Sequence, residues 1–318
     1  MKELLINEND AGQRLDRFLS KSLPHLPPSL IAKLIRKGRF KIDGKKARAD
    51  TRLESGCRLF MYVSDDLLNA PQKEQSFRVL RGELGGIVYE DENIIIVDKP
   101  AGLSVHPDES QNPDTLIARI QSYLYKKGEW NPDAENSFAP ALCHRIDRNT
   151  RGLVISAKNA AALREMNEII KDRQVKKYYI CIADGIPPQK EGTLKGYILK
   201  DEKNKKVEVS KKPVPGARTA LTHYRVLFER GGKSLIECEL ETGRTHQIRA
   251  QLASIGCPLA GDTKYGVRGK RQGRQALWAY KLVFGKDLKS ATLSYLSGRV
   301  FEIGKTEMEK EYLKLTGV

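Results

Sequence analysis

Several features are missing from this sequence of 318 residues. No apolar run approaches the roughly 20 residues needed to cross a bilayer. The N-terminus, Met1-Lys2-Glu3-Leu4-Leu5-Ile6-Asn7-Glu8, turns polar before an apolar stretch of signal-peptide length can form. A cytosolic protein is therefore expected. The cysteines Cys57, Cys143, Cys181, Cys238 and Cys257 are scattered, with no C-x-x-C pair. That spacing argues against a zinc knuckle or a disulfide framework and for small reduced core residues. With no G-x-G-x-x-G or Walker-type loop, neither a nucleotide cofactor nor a metal is expected. Acidic residues are the scarcer charge: 40 Asp and Glu face 56 Lys and Arg, a net +16. Such a surplus attracts polyanions. Nucleic acid is favoured over an anionic membrane, because no amphipathic helix with an exposed bulky apolar face stands out. A hydrophobic share of 40% and a charged share of 30% suit a globular chain with one large domain and one small one.

The charge is uneven. Residues 1–64 hold 14 Lys and Arg against 7 Asp and Glu. Arg14-Leu15-Asp16-Arg17-Phe18-Leu19 reads as a helix, followed by a turn rich in proline (Pro24, Pro27, Pro28). Ser29 is the expected N-cap of a second helix, with Leu30, Ile31, Leu34 and Ile35 on one face and Gly38 at its end. Lys33, Arg36 and Lys37 lie on its other faces, and Lys45 and Lys46 follow the hairpin signal Asp43-Gly44. These five cations are candidate nucleic-acid contacts, and RNA contacts if the resemblance described below holds. Residues 65–80 are polar and without period, as in a linker.

From residue 81 to 318 strands and helices mix, as in an α+β domain. Ile94–Val97 and Leu153–Ala157 read as strands, as do segments near 177–183, 219–228, 233–241 and 276–284. Helices are expected over 114–127, capped by Asp114, over 159–173, and near 245–255. Along 178–183, Tyr178, Ile180 and Ile182 share one strand face. Tyr179 shares the other with the small Cys181 and Ala183, which leaves room for a ligand beside it.

The segment His144-Arg145-Ile146-Asp147-Arg148-Asn149-Thr150-Arg151-Gly152-Leu153 places a carboxylate among three arginines before a buried strand. Cations favour the ionised carboxylate, which suits a nucleophile or electrostatic stabiliser better than a general acid. Asn149 and Gly152 suggest a loop from which a side chain reaches a substrate. On composition alone a surface ion-pair loop fits as well. The kinase-like reading of His-Arg-Asp fails, since Ile146 intervenes and no Asp-Phe-Gly occurs.

Four motifs then occur in order: Asp98-Lys99-Pro100-Ala101-Gly102-Leu103-Ser104-Val105-His106-Pro107, the Asp147 segment, Lys177-Tyr178-Tyr179, and Thr242-Gly243-Arg244-Thr245-His246-Gln247-Ile248-Arg249, continued by Pro258-Leu259-Ala260-Gly261-Asp262. Together they resemble the Rlu-type pseudouridine synthases, and residues 1–64 resemble the small S4-like RNA-binding domain. Asp98 and Arg151 depart from the usual Asn and Ser. The resemblance implies a pseudouridine synthase fold: a large mixed or antiparallel sheet with flanking helices, beside a small α+β domain. It implies Asp147 as nucleophile, Tyr179 beside a flipped uracil and active in proton transfer, and Arg249 paired with Asp147. Arg145 would enter the gap left by the flipped base. His144 and His246 would contact RNA or serve as structural histidines. Lys99 and His106 read mainly as parts of a structural turn at the rim. The basic, glycine-rich loop 266–274 orders on RNA or is an ordinary mobile loop.

The implied partner is RNA, ribosomal above all and transfer RNA as the second choice, met by a monomer. Two other functions stay open at this point. One is a non-catalytic RNA-binding or ribosome-assembly protein, which would not need Asp147, Tyr179 and Arg249. The other is a base-removing hydrolase, which would release free uracil.

Overall fold

The computed structural model describes residues 1–68, 82–107, 112–203, 205–266 and 273–317. At the N-terminus, β1 (Lys2–Leu5), β2 (Phe40–Ile42), β3 (Lys45–Lys46) and β4 (Arg58–Met61) form an antiparallel sheet in the order β1-β4-β2-β3. Helices α1 (Leu15–Ser22) and α2 (Pro28–Arg36) bury Leu15, Phe18, Leu19, Ile31 and Ile35 against Phe40, Leu59 and Met61. Ser29 is not the cap of α2. Pro27 and Pro28 open the helix, since proline fixes a helical φ and its missing N–H is unpaired in the first turn anyway. Asp43 and Gly44 both have positive φ, the hairpin turn read from their pair. The expected linker begins with a helical turn, α3 (Asp65–Leu68), because Leu68 is drawn into the small core; residues 69–81 lie outside the described part.

The large sheet collects β5 (Ile87–Glu90), β6 (Ile94–Lys99), β7 (Ala141–Leu142), β8 (Arg151–Ala157), β9 (Val175–Asp184), β10 (Glu191–Asp201), β11 (Lys206–Ser210), β12 (Arg218–Arg230), β13 (Lys233–Leu240), β14 (Leu277–Phe284) and β15 (Val300–Glu302). Its order is β11-β10-β12-β13-β9-β14-β8-β6-β5, with β15 on β14 and β7 on β8. The β14–β8 junction is parallel and the other described strand pairs are antiparallel, so the sheet is mixed. Sequence patterning missed the β10–β11 hairpin, whose many lysines hide the alternation. It also missed the C-terminal helix α7 (Thr306–Thr316).

Both faces of the sheet are covered. On one, Ile95, Val97, Val154, Tyr179, Cys181 and Ala183 meet α4 (Leu116–Lys126) and α6 (Gln247–Ser254). On the other, Ile94, Ile96, Leu153 and Ile155 meet α5 (Ala160–Lys171), while Ile180 and Ile182 meet α7. Burial on both faces is why Ile94–Val97 reads as an unbroken apolar run. Helix α4 is capped by Thr115, whose hydroxyl accepts from the Ala118 N–H, and not by Asp114. Asp114 instead pairs with Arg119 at 2.6 Å, a stronger partner than a backbone amide. Cys181, Cys238 and Cys257 are buried as expected, whereas Cys57 and Cys143 are only partly so.

Candidate active site

Asp147 sits in the loop that joins β7 to β8. The loop is fixed from below by Lys99, whose ammonium is fully buried. Its Nζ donates to the carbonyls of Pro100, Leu103 and Arg148 at 2.9, 2.8 and 3.0 Å. Burial lowers the Lys99 pKa to about 8, with Asp147 and Asp98 opposing the shift. The Gly102 N–H also donates to the Arg148 carbonyl at 2.8 Å. Lys-Pro-Ala-Gly is thus the structural turn read from sequence, and it anchors the residue next to Asp147. At the loop's exit Gly152 has φ +129, and a Cβ there would lie 2.2 Å from the Ala279 carbonyl oxygen. Only glycine lets β14 approach β8 at this point.

The carboxylate of Asp147 meets a buried guanidinium. Arg249 Nη1 donates to Asp147 Oδ2 at 3.0 Å. Its Nε and Nη2 donate to the two oxygens of Asp262 at 2.7 and 2.9 Å, a bidentate fork. Side-chain exposure is 6% for Arg249, 0% for Asp262 and 23% for Asp147, so the one acid with access to solvent is Asp147. Asp262 stays ionised against its burial: Arg249 and the backbone N–H groups of Lys264 and Tyr265 lower its pKa. The Arg249 guanidinium also lies 5.3 Å from the Tyr265 ring centroid. Helix α6, which carries Arg249, starts at a fixed point, because the Gln247 amide accepts from the Arg244 N–H and donates to the Leu221 carbonyl.

A pocket above Asp147 is walled by Tyr179, Ile146, Leu240, Ile248 and Leu277, with Arg145, Arg244 and His246 around it. Burial and then Asp147 raise the Tyr179 pKa, so the phenol stays protonated at neutral pH. His246 has φ 53 and ψ 23, the left-handed region, which costs a non-glycine residue on the order of 1–3 kcal/mol. Its Nε2 stands 3.9 Å from Asp147 Oδ2.

The sequence therefore identified residues that meet in space: Asp147, Tyr179, Arg249, His246 and the exposed Arg145 surround one pocket. His144 is different. Its Nε2 accepts from the Ile155 N–H at 3.2 Å, and its buried Nδ1 has no partner among the described residues. Of the two roles expected for His144, the bond to β8 is the structural one, and the ring does not line the Asp147 pocket. Lys33, Arg36, Lys37, Lys45 and Lys46 are all exposed on the small domain. The Lys46 side chain passes 3.4 Å from the Cβ position at Gly38, so the β3 cations lie beside the end of α2. His106 is exposed near Arg145. Most of the loop at 266–274 lies outside the described residues.

Sequence reasoning gave no role to Asp262, although it closes the last motif, or to Tyr265 just beyond it. The two departures, Asp98 and Arg151, prove to be partners. Arg151 donates to Asp98 Oδ2 through Nε at 3.1 Å and Nη2 at 2.9 Å, stacks 4.4 Å over Trp278 and pairs with Glu307 of α7.

The sequence profile of the RNA pseudouridylate synthase family matches residues 93–254, and that of the S4 domain matches residues 13–58. The chain is 34% identical over 294 residues to an uncharacterized RNA pseudouridine synthase of Mycoplasma genitalium, covering 89% of each chain. It is 33% identical over 298 residues to ribosomal large subunit pseudouridine synthase D of Neisseria meningitidis serogroup A, covering 90% of this chain and 75% of that one. Human RNA pseudouridylate synthase domain-containing protein 4 shares the fold, with a TM-score of 0.55 and 22% identity over 72% of this chain and 92% of that one. This chain belongs to the RNA pseudouridylate synthases, as an enzyme of the Rlu-type group that carries an N-terminal S4 domain.

Proposed function

We propose that this enzyme isomerises uridines in structured ribosomal RNA, of the large subunit, with Asp147 as the nucleophilic carboxylate. The observation that carries the reading is the Asp147–Arg249–Asp262 chain, in which a doubly paired buried guanidinium presents one partly exposed carboxylate to the pocket. The carboxylate attacks the anomeric carbon, assists formation of a glycal, or adds to the uracil ring. In each case the C1′–N1 bond breaks, a C1′–C5 bond forms, the C5 proton leaves and N1 regains one. Substrate and product have the same composition, so the balance needs no cofactor. Tyr179 packs beside the base, and its protonated phenol is a donor within the pocket. Arg145 enters the stack and offsets part of the few kcal/mol that flipping costs. Residues 1–64 hold the RNA backbone through Lys33, Arg36, Lys37, Lys45 and Lys46, and residues 81–318 perform the chemistry. The relative from Neisseria named for the large ribosomal subunit supports this substrate class.

The test is pseudouridine mapping of ribosomal and transfer RNA from cells lacking the gene, rescued with wild type or Asp147→Asn. Discrete sites should vanish and return only with wild type. With purified protein, Asp147→Asn should turn over at least about a thousandfold more slowly, the scale of losing an acting nucleophile. Full rescue by Asp147→Asn would favour the RNA-binding alternative, and release of free uracil would favour a hydrolase.

A further inference from the structure

We infer that His246 is a hydrogen-bond donor to a ribose oxygen of the bound nucleotide, and that Tyr265 places its proton on Nε2 for that purpose. This rests on the reading of the Asp147 pocket as the uridine site.

The proton count fixes the tautomer. The Val207 N–H in β11 can only donate, and it lies 2.8 Å from the Tyr265 hydroxyl, which therefore accepts. The other partner of that hydroxyl among the described residues is His246 Nδ1, at 3.0 Å. A phenol has one proton. Donated to Nδ1, it makes that nitrogen an acceptor and leaves the imidazole proton on Nε2. The reverse arrangement, Nδ1–H donating, would strand the half-buried phenol proton without an acceptor among the described residues. The ring is also held in place, edge-on to Tyr265 with centroids 5.6 Å apart.

The Nε2–H faces the chemistry. At 3.9 Å from Asp147 Oδ2 it is too far for a direct hydrogen bond, yet both groups line the same pocket. O4′ is bonded to the anomeric carbon and O2′ to its neighbour. A donor this close to the attacking carboxylate is within reach of one of them. Burial, aided by Arg249 and Lys264 and opposed by Asp147, lowers the His246 pKa to about 4, so the ring meets substrate as a neutral donor. The backbone agrees. His246 keeps its left-handed conformation at the start of α6 without making a side-chain capping bond. The strain aims a ring and does not terminate a helix.

The test uses full-length protein with nitrogen-15-labelled histidine, the His246 signals being assigned by their loss in His246→Gln. Wild type should show the Nε2–H tautomer at pH 7. Tyr265→Phe keeps the ring and removes the hydroxyl. It should shift the pattern toward Nδ1–H and slow single-turnover conversion of unmodified ribosomal RNA about tenfold, with RNA affinity unchanged within about twofold. His246→Gln, whose amide N–H replaces Nε2–H, should retain more activity than His246→Asn, whose amide replaces Nδ1. An Nδ1–H tautomer in wild type, or a Tyr265→Phe variant unchanged in both tautomer and rate, overturns the inference. Equal activity of the Gln and Asn variants overturns the donor role. If wild type converts no uridine, the uridine-site reading and the substrate role fail together, while the tautomer measured on free protein still decides the part played by Tyr265.

Discussion

His144 and Asp147 stand three residues apart in one motif and meet opposite surroundings. The first turns under the sheet to accept a β8 amide, and the second turns up into the pocket. Burial lowers the His144 pKa to about 3 from 6.5, with Lys177 adding to the effect, and His246 lies at about 4. Both folded-state values are below that of the free imidazole, so the unfolded chain takes up the protons first. Their contribution to stability is complete above about pH 6.5 and is lost as the pH falls toward 3, at up to about 1.4 kcal/mol per pH unit for each group. Denaturant unfolding at several pH values should show this slope in wild type. His144→Gln, which keeps an acceptor and cannot charge, should show a shallower one. Equal slopes would mean that His144 gains access to water in the folded protein.

Among the elements, the site depends on strands and loops being tied behind it. Asp98 is the penultimate residue of β6, before Lys99, Arg151 opens β8 after the Asp147 loop, and their pair joins the two while Glu307 brings in α7. Side-chain exposures of 14% for Asp98 and 29% for Arg151 leave this pair partly buried. The two departures from the family pattern thus form one ion pair in this chain. Asp98→Asn and Arg151→Ser should each destabilise the protein. The double variant should lose less than the sum, with a coupling of about 1–2 kcal/mol in a double-mutant cycle read by denaturant unfolding. Additive losses would show the two positions to be independent.

Across the molecule, the N-terminal domain is docked through polar contacts. The fully buried carboxylate of Asp10 accepts from the Asn136 amide at 2.7 Å and the Ser137 hydroxyl at 2.6 Å. Arg164 of α5 reaches the Ala11 carbonyl at 3.1 Å. A basic domain held by these contacts should act through backbone charge. Replacing Lys33, Lys37 and Lys46 together by Gln should weaken RNA binding across sequences. It should also reduce the salt slope of log K by about 0.7–0.9 for each phosphate no longer neutralised, while the rate at saturating RNA holds. Titrations between low and moderate salt check this, and an unchanged slope would place the RNA on another face.

What repeats locally was legible in the chain alone. Alternation along β9 placed Tyr179 opposite Ile180, the Asp43-Gly44 pair set a hairpin, and helical spacing found α2, α5 and α6. These follow from backbone period and turn sterics, which act over a few residues. The family motifs also named Asp147, Tyr179 and Arg249 before any fold was known. Packing in three dimensions settled the rest. Arg249 meets Asp147 across 102 positions, the pairing that the resemblance implied, whereas nothing in the sequence announced that Arg151 reaches Asp98 across 53. His144 turned inward, the lysine-rich β10–β11 hairpin joined the sheet edge, and Val207 came to bear on Tyr265 across 58 positions. Charge and proton placement depend on what lies within a few ångströms, and sheet order, not sequence distance, sets that separation.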